Sequence, residues 1–118
     1  MKCPYADFYV LPLPKRNLAA YRKMAQLGKR LWLKHGALEY REYVGEDLVP
    51  PCGVAFPKLS KARRGETVIT AIVGYRSRAH RDRVMARVLA DPDMHAMAPK
   101  KMPFDIQRMA YGGFKLLV

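Results

Sequence analysis

The chain has 118 residues, half of them hydrophobic, so it can bury a core and does not have the composition of a disordered protein. It lacks an apolar run near the roughly 20 residues that cross a bilayer, an apolar secretory leader, and enough cysteines for a disulfide scaffold. Its net charge of +12 attracts polyanions, or serves only solubility. We therefore expect one cytoplasmic domain over residues 1–118, with reduced thiols and no membrane partner.

The first predicted strand covers residues 6–13, where aromatic and aliphatic side chains precede prolines. Tyr9 and Leu11 should point to one face of the sheet, and Phe8 and Val10 to the other. Both faces are apolar, so both should be covered.

A helix is predicted over residues 15–35, because apolar residues recur every three or four positions. Its buried stripe consists of Leu18, Tyr21, Ala25, Gly28, Trp32 and His35, and Met24 and Leu31 widen it. Gly28 costs roughly 1 kcal/mol relative to alanine inside a helix, which indicates close approach of a strand. Gly36 is expected to end the helix in a left-handed conformation.

The outer face of this helix is basic and carries no acid that would form pairs across turns. The candidate residues for binding a polyanion are Lys15, Arg22, Lys23, Lys29 and Arg30. A purely solvated face is the alternative interpretation of the same residues.

A second strand is predicted over residues 37–44. Leu38, Tyr40 and Glu42 should share one face, with Glu39, Arg41 and Tyr43 on the other. So many charges indicate an edge strand or one that partly lines a cavity.

Residues 45–66 form a long connection, with a short extended piece expected near residues 54–56. The β-branched residues 67–75 predict a central strand. Ser77 is expected to cap a second helix that runs to about Ala90, where Asp91 and Pro92 stop it.

Residues 93–105 are predicted to be irregular, with one helical turn near residues 94–97, and residues 108–118 form the last strand. The segment Met102-Pro103-Phe104-Asp105 suits a lid or a subunit contact. The methionines Met85, Met94, Met97, Met102 and Met109 suit either core packing or a soft apolar cavity.

The predicted order is β-α-β, a long loop, then β-α-β. This order favours an α+β, ferredoxin-like fold, βαββαβ, with a four-stranded antiparallel sheet and both helices on one face. The other face still shows apolar residues, so we expect a homodimer that packs two sheets face to face.

Several motifs together resemble the YbaA-like family, a bacterial family of unknown function. The matching segments are Phe8-Tyr9-Val10-Leu11-Pro12, His35-Gly36-Ala37-Leu38-Glu39-Tyr40, Ser77-Arg78-Ala79-His80-Arg81-Asp82, Ala90-Asp91-Pro92, Met102-Pro103-Phe104-Asp105 and Tyr111-Gly112-Gly113-Phe114. The resemblance implies a dimeric α/β barrel, in a group that includes cofactor-free monooxygenases. It brings no established catalytic residue.

His35 is the leading acid–base candidate, because its unperturbed pKa lies near neutrality. Glu39 follows four residues later and is expected to orient it; alternatively, His35 caps the helix and Glu39 pairs with Arg41. The expected pocket residues are Tyr9, Trp32, Tyr43 and Met109.

The remaining histidines, His80 and His95, and the two cysteines show no metal-ligand spacing. No phosphate loop or dinucleotide fingerprint occurs, so no metal and no cofactor are expected. We predict a protein that binds or transforms a small molecule, at most as a cofactor-free monooxygenase. The alternative is a polyanion or RNA-binding module that uses the basic helices without reading sequence.

Overall fold

The structure is a computed structural model that describes residues 2–118. The strands are β1 (Tyr5–Pro14), β2 (Glu39–Val44), β3 (Glu66–Tyr75) and β4 (Ala110–Lys115). The helices are α1 (Leu18–Lys34), α2 (Phe56–Leu59), α3 (Arg78–Ala90) and α4 (Pro92–Met97), with 3-10 turns at Lys15–Asn17 and Ile106–Arg108.

The strands form one antiparallel sheet in the order β2-β3-β1-β4. This arrangement confirms the predicted α+β class and the four-stranded antiparallel sheet. Strand β3 is internal, as its apolar sequence predicts, and β2 lies at an edge, as its charges predict.

Helices α1 and α3 pack on the same face of the sheet, because one buried cluster draws on all three. Leu27 and Leu31 of α1 meet Val84 and Val88 of α3 over Tyr75 of β3 in this cluster. Leu27 was not part of the predicted stripe, whereas Leu18, which was, is exposed. The buried stripe is therefore displaced toward α3.

The other face of the sheet keeps large apolar side chains exposed. Phe114 of β4 is 58% exposed and packs edge-to-face on Phe8 of β1, with ring centroids 5.4 Å apart. Ile72 of β3 lies directly opposite Phe8 in the register. Apolar side chains thus form a continuous strip across three strands.

Several element bounds differ from the predictions. The first helix begins at Leu18 rather than residue 15, because a 3-10 turn comes first. The extended piece expected near residues 54–56 is found at Ala55, whose backbone is extended, but Phe56 already begins a short helix. The last strand stops at Lys115 and begins only after the 3-10 turn that contains Arg108.

The structure agrees with the residues predicted to end the first helix and to cap the second. Gly36 adopts a φ of +110°, which favours glycine, two residues after the end of α1 at Lys34. The Ser77 hydroxyl accepts a hydrogen bond from the His80 backbone amide at 3.0 Å and so caps α3. None of the described helices has the length and hydropathy to cross a bilayer.

Candidate functional site

A cavity of about 310 Å³ lies between the helix-bearing face of the sheet, α1, and the segment of residues 94–109. Tyr9 and Ala71 belong to its sheet side, and Met24 and Trp32 to its α1 side. The third side comes from Met94, Met102, Phe104 and Met109. The cavity is within the size range of small-molecule sites and is almost wholly apolar.

The register of the sheet places three lining residues in one row. Glu42 of β2 lies opposite Ala71 of β3, which lies opposite Tyr9 of β1. The Tyr9 ring stacks on Tyr111 of β4 with centroids 5.4 Å apart. Because Ala71 is small, the row leaves space between the carboxylate and the tyrosine.

Glu42 is held by two tyrosine hydroxyls at the cavity wall. Tyr40 Oη donates to Glu42 Oε2 at 2.6 Å, and Tyr21 Oη donates to Glu42 Oε1. Burial raises the pKa of both phenols well above the usual range, and the Glu42 charge adds to the effect. Both phenols therefore stay protonated as donors, and the carboxylate keeps one bond on each oxygen.

Gly28 of α1 makes room for this arrangement. A Cβ atom at position 28 would lie 2.7 Å from Tyr40 Oη, well inside van der Waals contact. The glycine therefore permits the close approach of a strand that its helix position predicts. The ring of Tyr40 then packs beside Trp32, with centroids 6.0 Å apart.

The segment of residues 98–109, here called the roof, covers the cavity. Hydrogen bonds to other elements hold it at Pro103 and at Arg108. Asn17 Nδ2 donates to the Pro103 carbonyl at 2.8 Å. Arg108 forms two hydrogen bonds with Glu66, at 2.7 and 2.8 Å. Between these ties, Phe104 packs edge-to-face on Tyr21. Residues 102–105, predicted to form a lid or a subunit contact, are thus part of a fixed wall of the cavity.

Two buried polar atoms near the cavity lack a partner among the described residues: Trp32 Nε1 and Tyr75 Oη. The indole is close enough to lower the pKa of the Tyr75 phenol, against the larger effect of burial, which raises it. The geometry nevertheless forms no hydrogen bond between them. Both atoms have almost no accessible surface, so they face each other rather than the cavity.

Asp7 is a second acid on this face, next to Tyr9 along β1 and 2% exposed. Arg81 Nε lies 3.6 Å from Asp7 Oδ1. Burial raises the pKa of the Asp7 carboxyl, and the Arg81 charge partly opposes that shift. Asp7 is therefore easier to protonate than an exposed aspartate, but it does not line the cavity.

Three of the four predicted pocket residues line the cavity: Tyr9, Trp32 and Met109. Tyr43 lies outside it and is 54% exposed. Its side chain is on the helix-free face, beside Thr70 in the register, since alternate residues of a strand face opposite sides.

The structure does not bring His35 and Glu39 together. His35 Nε2 lies 2.7 Å from Asp91 Oδ2, which also accepts from Lys34 at 2.9 Å. These two contacts hold the pKa of Asp91 well below its usual range. His35 thus helps to fasten the end of α1 to the residue that caps α4.

Glu39 forms an ion pair with Arg41 on the helix-free face, and Cys3 Sγ lies 3.5 Å from its carboxylate. The pair with Arg41 is the alternative that the sequence predicted for Glu39. Neither Glu39 nor His35 lines the cavity, so the catalytic roles proposed for them stay predictions that the cavity geometry does not support.

The basic residues of α1 are exposed but divide into two rows. Arg22 and Lys29 line an open groove between α1 and the edge strand β2. Arg30 is on the other side of the helix, where Nη2 lies 3.2 Å from Met97 Sδ. Lys23 is exposed, and Lys15 belongs to the preceding 3-10 turn. Their binding of a polyanion stays a prediction.

The sequence interpretation missed Glu42 as a site residue. Its signal was available, because Glu42 shares a predicted strand face with Leu38 and Tyr40, and a carboxylate among apolar neighbours needs partners. Its partner Tyr21 is distant in sequence, so the pairing itself could not be deduced. Within the described residues, no cluster of three or more candidate metal ligands occurs.

Comparison with known proteins identifies the family of this chain. A family model described as "Protein of unknown function (DUF1428)" matches residues 4–106. The uncharacterized protein YbaA of Escherichia coli strain K12 is 32% identical over 114 residues, which covers 97% of each chain. YbaA of Shigella flexneri matches with the same identity and coverage. The chain therefore belongs to the DUF1428 family, together with the YbaA proteins.

Proposed function

We propose that this protein binds a small, largely apolar molecule in the cavity between the sheet, α1 and the roof. The observation that carries the proposal is the cavity itself, about 310 Å³ in volume and lined by aromatic and methionine side chains around one carboxylate. Such a site, apolar with a few placed polar groups, is typical of ligand pockets.

Filling the cavity should weaken binding. Ala71→Phe adds a ring to the centre of the sheet side, so we expect the affinity for neutral probes such as toluene or phenethyl alcohol to fall at least about tenfold. Trp32 is the only tryptophan of the chain and lines the cavity, so its emission reports binding directly.

Ala79→Phe provides the matched control, because Ala79 is exposed on α3, away from the cavity. This variant should bind the probes as the parent chain does. Trp32 emission that does not respond to any of these probes in the parent chain, or equal binding by Ala71→Phe, would overturn the proposal.

Chemistry on the bound molecule, at most of the cofactor-free monooxygenase type, is a further step of this proposal. Glu42 and the hydroxyls of Tyr21 and Tyr40 are the polar groups that would meet the molecule. A cytoplasmic location accords with the free thiols of Cys3 and Cys52.

We also propose a ferredoxin-like arrangement that forms a dimeric α/β barrel through the helix-free face. The strand order β2-β3-β1-β4 supports the first part. The exposed Phe8, Tyr43 and Phe114 support the second, since a monomer rarely leaves a large apolar patch in water.

Charge placed on that face should separate the subunits. Phe114→Glu puts a carboxylate where the proposed interface is apolar, so we expect the dimer dissociation constant to rise at least about a hundredfold. Sedimentation velocity would measure it. Val49→Glu, on an exposed loop residue, is the control and should leave the dimer intact. A parent chain that sediments as a 13.5 kDa monomer at high micromolar concentration would contradict the proposal.

A further inference from the structure

We infer that the ligand of the cavity is an organic ammonium: a protonated amine on an apolar body, with the ammonium on Glu42. This inference rests on the proposed function and adds the chemical class of the ligand. Three features of the site carry it: its charge, the geometry of Glu42, and its aromatic walls.

The charge of the cavity is opposite to that of the protein. The chain has 22 lysines and arginines against 10 acids. Among the described residues that line the cavity, none is lysine, arginine or histidine, and Glu42 is the only one with a formal charge. A chain with so many lysines and arginines could easily place one of them in an anion-binding cavity. This cavity contains none, so it disfavours anions.

Glu42 has room for another donor. A carboxylate offers about four acceptor positions, and the hydroxyls of Tyr21 and Tyr40 occupy one on each oxygen. These neutral donors stabilise the charge but do not balance it. An apolar surrounding makes an unbalanced charge costly. An ammonium supplies both a third hydrogen bond and the opposite charge.

The walls suit a cation on an apolar body. Tyr9, Trp32 and Tyr40 line the cavity around Glu42, and the negative face of an aromatic ring attracts an ammonium within about 6 Å. Met24, Met94, Met102 and Met109 provide adaptable apolar contact. Aromatic rings beside one carboxylate are the combination that recognises amines.

The surface outside the cavity is positively charged and repels a cationic ligand. Arg22, Lys29 and Arg41 line an open groove that shares Tyr21, Tyr40 and Glu42 with the cavity, and their charges oppose a cation on the groove side of Glu42. That effect is screened beyond about 8 Å at physiological salt. The bound cation instead meets Glu42 at contact distance, where screening is weak. Selectivity should therefore be seen in affinity rather than in the rate of association.

Three probes of nearly equal size separate charge from shape: phenethylamine, phenethyl alcohol and phenylacetate. Near neutral pH they are a cation, a neutral donor and an anion. Titration against Trp32 emission should show the amine binding at least about tenfold more tightly than the alcohol, and the anion at least about tenfold more weakly. Glu42→Gln should remove the preference for the amine, so that its affinity falls to within about threefold of that for the alcohol in the same variant.

Glu39→Gln is the matched control, since Glu39 is on the same strand but on the helix-free face. It should keep the preference for the amine. Equal affinity for the amine and the alcohol in the parent chain would overturn this inference and leave the proposed function standing. Failure of all three probes to bind would instead overturn the proposed function. Circular dichroism would confirm that the Glu42→Gln chain is folded. If it is not folded, Glu42→Asp replaces it as the test variant. This variant keeps the negative charge but moves it away from the ligand, so it should weaken amine binding.

Discussion

Arg108→Met should lower the free energy of unfolding by about 3 kcal/mol near neutral pH. Arg108 makes a bidentate pair with Glu66, and both side chains are mostly buried. Removal of the arginine leaves the carboxylate with only the Arg63 backbone amide as a donor in a poorly solvated place, and removal of one partner of a buried ion pair typically costs about 3–5 kcal/mol. Urea unfolding followed by Trp32 emission measures the difference.

The same pair predicts how this difference depends on pH. Hydrogen bonds from Arg108, with a smaller contribution from the backbone amide of Arg63, lower the pKa of Glu66 from 4.5 to about 2. A carboxyl whose folded pKa is depressed contributes stability above its unfolded pKa and loses it on acidification. The gap between Arg108→Met and the parent chain should therefore be complete above pH 4.5 and shrink as the pH falls toward about 2.

Arg64→Met is the control, because Arg64 is exposed close to Glu66 along the chain. It should change stability by less than about 0.5 kcal/mol. A loss in Arg108→Met as small as in this control, or one that does not vary with pH, would show that the pair does not hold the roof in place.

Leu31→Ala should lower the free energy of unfolding by about 3–4 kcal/mol, within the usual range for a buried leucine. The Leu31 side chain is 0% exposed, and it joins α1 to β3 and α3 in the main buried cluster. Thermal unfolding should begin at least about 10 °C lower than in the parent chain.

Leu33→Ala tests whether burial is the cause. Leu33 is two residues away on the same helix and 40% exposed, so the substitution removes the same atoms from a more solvent-exposed position. We expect a loss below about 1 kcal/mol. Equal losses for the two variants would mean that α1 is not packed as the structure describes.

The element types were predictable because local patterns decide them. Apolar residues at three- and four-residue intervals gave α1, and the β-branched run of residues 67–75 gave β3. Charge on β2 placed it at an edge. The bounds were less predictable, as at residues 15–17, where neither spacing nor composition separates a 3-10 turn from the first turn of an α-helix.

The candidate site was only partly predictable, because its contacts join distant residues. Tyr9, Trp32 and Met109 were recognised as aromatic or soft side chains in amphipathic elements. The bond between Tyr21 and Glu42 depends instead on how α1 lies over β2. Likewise, His35 meets Asp91 rather than Glu39 because the end of α1 packs against the end of α3. Spacing along the chain contains no information of that kind.

Gly28 also matters to anyone who wishes to make this protein more resistant to heat. Replacement of a helical glycine by alanine is a common stabilising change, worth up to about 1 kcal/mol. At position 28 the new methyl group would displace the Tyr40 hydroxyl from its place beside α1. The hydrogen bond from Tyr40 to Glu42 would then be lost, which costs about 1.5–3 kcal/mol for a charged acceptor, so this routine exchange would lower the heat resistance of the molecule and also remove the polar end of its cavity.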